Sequence, residues 1–318
     1  MKSSFEVFLL VAEELNITRA AERAFISQQC ASDHVRRLEE EQGISLFTRK
    51  PRLGLTPAGQ IMVKTLRKMK NAETMMKKQF QEIKDETIGK LSIGINPTRA
   101  RILLPSLLKK FQLDFPKVKI SFVLNDTIAS EQMLLENKID FFLGIDTQSN
   151  PAFERRQLAQ ESIYFIAAPD LIAYASKFSD LRSDTIQLTD INSLPMIRNH
   201  KDSTLNELIN HDVNQKNILL NTTYFISDYD TQIALCASGI AGAFCPALMI
   251  HRVIEHNQNC SDHEKLLIFR VSDLPKKLRV DLVTFSEADQ PKYAKHFIEL
   301  LCAEVAEKYN DINSYLEK

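Results

Sequence analysis

The sequence predicts a mixed α+β chain in three parts: a small helical unit with a hairpin, one long amphipathic helix, and a larger body of alternating strands and helices. Three observations predict it. Helically spaced apolar residues dominate the first sixty positions. A narrow apolar stripe at steps of four and three then runs from about 59 to 86. Beyond it, apolar runs at 91–95, 118–124 and 139–145 are separated by helical segments, a β-α-β-α-β order that implies parallel pairing. The 318 residues, 44% hydrophobic and 25% charged, suffice for two or three domains.

Composition narrows the class. No apolar run approaches the roughly 18 residues that cross a bilayer, and Glu6, Glu13 and Glu14 interrupt the N-terminal apolar residues where a signal peptide would be unbroken. The expectation is a cytoplasmic protein with no membrane partner. Five cysteines, an odd and sparse set, fit a reducing compartment. Net charge is −1, but residues 1–84 hold 15 Lys and Arg against 10 Asp and Glu. A basic end on an acidic body points to a polyanionic partner for that end.

In the first helix Phe5, Phe8, Leu9, Ala12 and Leu15 share a face. Asn16 or Thr18 caps a second helix through Ala20, Ala21 and Ala24, closed by Phe25 and Ile26. Ser27 caps a third, which buries Ala31, Val35 and Leu38 and ends near Gly43. The short join makes a helix-turn-helix whose second helix shows a polar, basic face. Leu46 to Leu55 reads as a hairpin wing with Arg49, Lys50 and Arg52 at its tip. Thr56-Pro57 starts the long helix as N-cap and first residue.

The stripe on that helix is Met62, Leu66, Met69, Met76, Phe80 and Ile83, interrupted by Glu73. It is too narrow for a core of its own and needs a partner helix. That partner is a second copy of itself, with packing on the chain's own first helix as the alternative; both are expected. Thr87 to Lys90, with Gly89, reads as a hinge. Strands are then expected at 163–168, 194–197, 219–226, 266–271 and 279–285, and helices near 204–213, 229–238, 246–255 and 290–309. Two α/β lobes accommodate them.

Specific residues carry a family resemblance. Asn16-Ile-Thr-Arg-Ala-Ala-Glu-Arg-Ala-Phe-Ile-Ser-Gln-Gln, Ser32, Val35-Arg-Arg-Leu-Glu-Glu-Glu, Gly43, Leu46-Phe47, Arg49 and Leu55-Thr-Pro-Ala-Gly59 form a long signature at fixed spacing. This run resembles the DNA-binding region of LysR-type transcriptional regulators, and the likeness covers the whole chain. It implies a winged helix-turn-helix at 1–56, a linker and dimerisation helix at 57–86, a hinge at 87–90, and a two-lobed periplasmic-binding-protein-like effector domain. Lobe 1 would comprise 91–163 and 268–318, and lobe 2 164–267. Gln29 departs from the proline frequent there, and the turn before Pro246 has its second glycine, Gly242, one residue later than in many members.

The resemblance implies sequence-specific binding to double-stranded DNA at an interrupted dyad, as a dimer with a tetramer beyond it, modulated by a small-molecule effector of unknown identity. RNA polymerase is a partner if the protein activates. Base edges are read by Gln28, Gln29, Ser32, Asp33, His34 and Arg36, since Gln pairs with adenine and Arg with guanine. Thr18, Ser27, Arg37, Arg49, Lys50 and Arg52 are the phosphate candidates, the wing residues having the minor groove as a second option. For the effector, strand ends nominate Asn96, Pro97, Thr98, Arg99, Asp146 and Thr147 in one lobe. Arg198, Asn199, His200, Ser203, Thr204, Ser227 and Asp228 face them from the other. Thr98 and Ser203 suit a carboxylate with Arg99 or Arg198 as counter-ion. Asp146 and Asp228 suit a cationic or hydroxylated ligand, and helix capping is the plain alternative for Thr98, Ser203 and Asp228.

No cofactor, resident metal or enzymatic activity is expected. Gly-rich phosphate loops, Gly-x-Ser-x-Gly, His-Glu-x-x-His and Cys-x-x-Cys are absent. Cys236 and Cys245 read as small core residues rather than a redox pair, and His251, His256, Cys260 and His263 match no standard zinc spacing. The alternative function is a stand-alone two-lobed binding or catalytic module whose N-terminal helices hold a protein partner.

Overall fold

The computed structural model describes residues 3–50, 52–84, 89–174, 184–200, 203–274, 277–286 and 290–316, apart from the side chains of 78, 79, 81–84 and 263. The N-terminal unit is three helices, α1 (Ser3–Glu14), α2 (Ile17–Ala24) and α3 (Gln28–Gln42), and a two-stranded wing, β1 (Phe47–Thr48) with β2 (Gly54–Leu55). Phe8, Val11, Ala20, Ala31, Val35, Leu38, Leu46, Phe47 and Leu66 form its core, with the Phe8 and Phe47 rings 5.3 Å apart. Local chemistry sets each boundary. The Asn16 side chain accepts from the Arg19 amide and that of Ser27 from the Cys30 amide, while Gly43 ends α3 at φ 66°.

The long helix α4 spans Pro57–Lys84. Its stripe divides. Leu66 is buried in the N-terminal core and Met62 packs against it, so this stretch serves the chain's own fold. Met69, Met76 and Phe80 stay 49%, 44% and 55% exposed. The Ile83 side chain, the expected helix positions 85–86 and hinge positions 87–88 lie outside the described residues.

The body contains two sheets. β3 (Lys90–Ile95), α5 (Pro97–Asp114), β4 (Lys119–Leu124), α6 (Thr127–Leu135), β5 (Phe141–Ile145) and β6 (Phe153–Glu161) come first. Next are β7 (Ile163–Ala167), α7 (Pro169–Tyr174), β8 (Thr185–Ile186), α8 (Leu188–Ile191), β9 (Met196–Arg198), α9 (Thr204–Gln215), β10 (Thr222–Phe225), α10 (Tyr229–Ala237), β11 (Gly242–Pro246), α11 (Ile250–Asn259) and β12 (Leu267–Val271). β13 (Leu278–Phe285) and α12 (Lys292–Leu316) end the chain. The first sheet has the order β4-β3-β5-β13-β6 and the second β10-β9-β11-β7-β12-β8. β3 pairs parallel with β4 and β5, as the β-α-β-α-β reading requires, while β13 returns antiparallel between β5 and β6.

Two features depart from the sequence reading. The lobe boundary at 268 falls one residue inside β12, which pairs with β7 and β8 in the second sheet. The chain re-enters the first sheet only at β13, because an apolar run shows that a strand exists but not which sheet it joins. Like the short β8 and the buried central strand β11, β6 lies outside the strands that the apolar pattern predicts. It is an edge strand whose interior residues Glu154 to Gln157 are all exposed, so it lacks the apolar alternation that marks a half-buried strand.

One buried apolar cluster runs through both lobes, from Leu91, Phe111 and Phe297 to Phe165, Ile197 and Leu248. At its centre is an ion pair. Glu161, the last residue of β6, is 1% exposed and meets the Arg99 guanidinium, itself 3% exposed. Its second oxygen accepts from the Tyr309 hydroxyl at 2.8 Å and the Leu248 amide at 3.2 Å. Burial disfavours the charged guanidinium, but Glu161 and Tyr309 outweigh it and hold Arg99 more firmly protonated than usual. Arg99 and Tyr309 belong to the first lobe and Leu248 to the second, so one carboxylate joins both at the crossover. Removing it by Glu161→Ala strands a buried charge, and thermal unfolding should show a loss of about 3–5 kcal/mol. The apolar pair Arg99→Met with Glu161→Leu should recover most of that loss.

Candidate nucleic-acid interface and ligand cleft

The packing of α3 decides which of its residues face outward. With Ala31, Val35 and Leu38 turned into the core, Ser27, Gln28, Gln29, Arg36 and Arg37 are exposed and Ser32, Asp33 and His34 half-buried. A recess of about 250 Å³ follows the same face, lined by Ser27, Gln29, Cys30, Asp33, His34 and Arg37. Thr18, on α2, is also exposed. Arg36 pairs with Asp33 at 3.0 Å and Glu40 at 3.8 Å. Such exposed pairs hold by about 0–1 kcal/mol, so little energy opposes the release of Arg36 toward a ligand.

The wing stands beside this face, with Arg49, Lys50 and Arg52 exposed at its tip. A ladder of two residues per strand is too short to hold itself, and three contacts fasten it. Glu39 on α3 accepts from the Leu46 and Phe47 amides at 2.7 and 3.1 Å and reaches Arg49 at 3.4 Å. Thr56 donates its hydroxyl to the Ser45 carbonyl at 2.8 Å and accepts from the Gly59 amide at 3.0 Å. Gly59 itself is required, since a Cβ there would lie 2.1 Å from the Leu46 carbonyl oxygen. Sequence reasoning leaves Glu39 without a role. Phe25 closes α2, as the sequence reading has it, but without burying its ring. At φ 55° it forms the left-handed end of the helix, and its ring is 96% exposed.

The positions nominated for an effector separate into three groups. Thr98, Arg99 and Thr147 are buried within the first lobe. Arg99 is committed to Glu161, which removes it as a ligand counter-ion. The Thr147 hydroxyl donates to Asp281 at 2.7 Å. Asn96, Ser203 and Asp228 cap α5, α9 and α10, and Pro97 is the first residue of α5. Asp228 also meets Arg101 at 3.6 Å, and Arg101 contacts Asp230, so an ionic contact crosses between lobes there.

The third group forms a polar wall in the second lobe. Arg198 donates to Asn206 at 3.1 Å and Asn210 at 2.9 Å. Burial holds its guanidinium below the usual range. The Asn199 amide donates to the Tyr229 hydroxyl at 3.1 Å and accepts from Gln232 at 2.7 Å. The His200 amide donates to the exposed Ser227 hydroxyl at 3.1 Å. Asn206, Tyr229 and Gln232 hold this wall together; a lone polar residue inside a helix gives no advance sign of such a role.

Between the lobes lies a cleft of about 620 Å³, lined by Asp146, Gln148, Gln160, Thr204, Glu207, Leu208, His211, Lys277 and Arg279. Of the nominated residues Asp146 and Thr204 border it. Asp146 adopts φ 45° and accepts from the Arg279 amide at 2.9 Å, and the Arg279 side chain donates to the Thr147 carbonyl at 3.0 Å. Cys236 and Cys245 are buried free thiols; burial pushes Cys236 up to about 12 and Cys245 well above its ordinary value. Neither is a ready thiolate. The His251 and His256 rings donate to the Lys308 and Glu264 carbonyls, each at 3.1 Å. Among the described residues no three metal-capable side chains gather, and the His263 side chain lies outside them.

Comparison with known proteins bears on both regions. Residues 3–60 match the model described as bacterial regulatory helix-turn-helix protein, lysR family, and residues 84–306 that of the LysR substrate binding domain. The chain is 29% identical over 138 residues to the HTH-type transcriptional regulator YtlI of Bacillus subtilis, covering 43% of this chain and 45% of that one. It is 23% identical to the uncharacterized HTH-type transcriptional regulator YkuM of the same organism, covering 93% and 94%. Among solved structures, HinK, a LysR family transcriptional regulator from Pseudomonas aeruginosa, superposes with a TM-score of 0.56 at 18% identity, covering 95% and 98%. At that identity the likeness concerns the fold.

The wing's dependence on Glu39 is testable. Glu39→Ala leaves two backbone amides without their acceptor, and hydrogen exchange at Leu46 and Phe47 should accelerate. The expected destabilisation is about 1–3 kcal/mol, whereas Glu40→Ala, on an exposed position, should leave those amides protected.

Proposed function

Because this chain belongs to the LysR family of bacterial transcriptional regulators, we propose that it binds an interrupted dyad in double-stranded DNA as a dimer and alters that binding when a small molecule occupies the interlobe cleft. One observation carries the DNA half: the exposed polar face of α3, with Gln28, Gln29, Arg36 and Arg37, lies beside a wing tipped by three exposed cations. Gln28, Gln29, Ser32, Asp33, His34 and Arg36 read base edges from the major groove. Thr18, Ser27, Arg37, Arg49, Lys50 and Arg52 hold phosphates.

Dimerisation runs through α4. Met69, Met76 and Phe80 share the stripe with Leu66 and Met62 but stay largely outside the chain's own core. A second copy of the helix gives that stripe a seat. Pairs of dimers then form a tetramer through the effector domains, and RNA polymerase is the further partner where the bound protein activates. No described helix is long and apolar enough to cross a membrane. The cleft lies between lobes tied at their crossover, so its occupant shifts the lobe arrangement and with it the spacing of the two heads.

Selection of bound DNA from genomic fragments at fixed salt, with and without a metabolite extract, tests the reading. An interrupted palindrome whose footprint changes with extract is the expected result, and no enrichment under either condition overturns it. Arg36→Ala should relax preference at one base position by about 1–3 kcal/mol. Lys50→Ala should weaken operator and random DNA alike and reduce the log–log salt slope by about 0.9. Equal losses on both DNAs for both variants would refute this division of roles. Met69→Glu with Met76→Glu should shift sedimentation of the purified protein toward monomer.

A further inference from the structure

The described lining of the interlobe cleft is polar almost throughout, with Leu208 the one aliphatic side chain among nine described residues. Its described lining residues include two acids, Asp146 and Glu207, and two strong bases, Lys277 and Arg279. These four differ in what they already do. Asp146 and Arg279 satisfy one another: the Arg279 side chain stands 3.4 Å from the Asp146 carboxylate, and the Arg279 amide donates to the same carboxylate. Glu207 and Lys277 have no such commitment. Both are exposed, and among the described residues neither side chain has an ion-pair or hydrogen-bond partner. One unspent carboxylate from α9 and one unspent ammonium beside β13 therefore face a common space.

This constrains what can bind there. A plain carboxylate pairs with Lys277 but faces Glu207 uncompensated as the cleft closes and excludes water. A simple amine meets the converse problem at Lys277. A charge brought out of water without a counter-ion is costly, so the occupant that satisfies both walls carries both signs. The amides of Gln148 and Gln160 and the Thr204 hydroxyl add donors and acceptors for its polar groups. With Leu208 the only aliphatic among the described lining residues, the lining disfavours aromatic or long aliphatic bodies. We propose that the effector is a small zwitterion of the α-amino-acid type, with its carboxylate at Lys277 and its ammonium at Glu207. This rests on the reading of the cleft as the effector site. The cleft residues it uses include four that no strand-end argument nominated: Gln148, Gln160, Glu207 and Lys277.

The test uses the purified full-length protein and defined probes, read by thermal shift and calorimetry. The probes are the twenty protein L-amino acids, succinate and 2-oxoglutarate as dicarboxylates, and putrescine and spermidine as polyamines. The expected result is that at least one free amino acid binds, and that capping it as the N-acetyl or the amide derivative weakens binding by about tenfold or more, the worth of one charged contact. Glu207→Gln should penalise the free amino acid far more than its N-acetyl form, and Lys277→Met the free amino acid far more than its amide. Preference for a dicarboxylate or a polyamine overturns the proposal. So does binding of no probe, or a loss in Glu207→Gln that is equal for free and N-acetylated forms. DNA selection with the same preparation separates the two levels: a recovered operator with any of these failures removes only the ligand class, whereas no operator removes the regulator reading itself.

Discussion

The two-lobed body depends on a single buried carboxylate. Glu161 ends β6 one residue before the chain passes into β7, and its two oxygens are divided among Arg99, Tyr309 and the Leu248 amide. Placing a charge at the centre of an apolar cluster is tolerable only because both oxygens find donors and the net charge is cancelled on the spot. The arrangement has a cost for function. Arg99 stands at a strand end where an anion site would use it, yet its guanidinium is consumed internally. The free charges of the cleft therefore come from elsewhere, from α9 and the approach to β13. Arg101 takes the peripheral role, reaching Asp228 and Asp230 across the lobes.

The N-terminal unit repeats the device on a smaller scale. A hairpin of two residues per strand has almost no ladder of its own, so its position is imposed from outside. Glu39 holds the Leu46 and Phe47 amides, Thr56 spans the base, and the absent side chain of Gly59 lets the Leu46 carbonyl approach α4. The three contacts come from α3 and from the residues that open α4. The angle between the basic tip and the outer face of α3 is thus set by an acid and a hydroxyl, not by the cations at the tip.

What was legible in the sequence was what local chemistry determines. Ser27, Gly43 and Thr56-Pro57 mark helix ends by side-chain caps and backbone freedom, and the helices begin and end beside them. The period of Ala31, Val35 and Leu38 is enough to assign the outer face of α3. Legibility failed where a residue's role depends on a partner distant in the chain. Glu161 and Arg99 are 62 positions apart and Arg99 and Tyr309 210, and nothing in either neighbourhood announces the pairing. β12 looked like any apolar strand, and its sheet was decided by β7. Of the candidate cleft, Asp146 was recognisable at a strand end, but Glu207 and Lys277 looked like ordinary surface charges until the lobes brought them to one space.

The strand order has a consequence for how the protein is made. β13 and α12 complete the first sheet from the far end of the chain, after the whole second lobe has been inserted between β6 and β13. On the ribosome, β3, β4 and β5 emerge early and wait, with Phe141 and Leu143 unsheltered, until the last segment is released. The N-terminal core needs nothing beyond Leu66. Translation therefore delivers a finished head well before a finished sensor, and a message cut short anywhere in the body encodes the former without the latter.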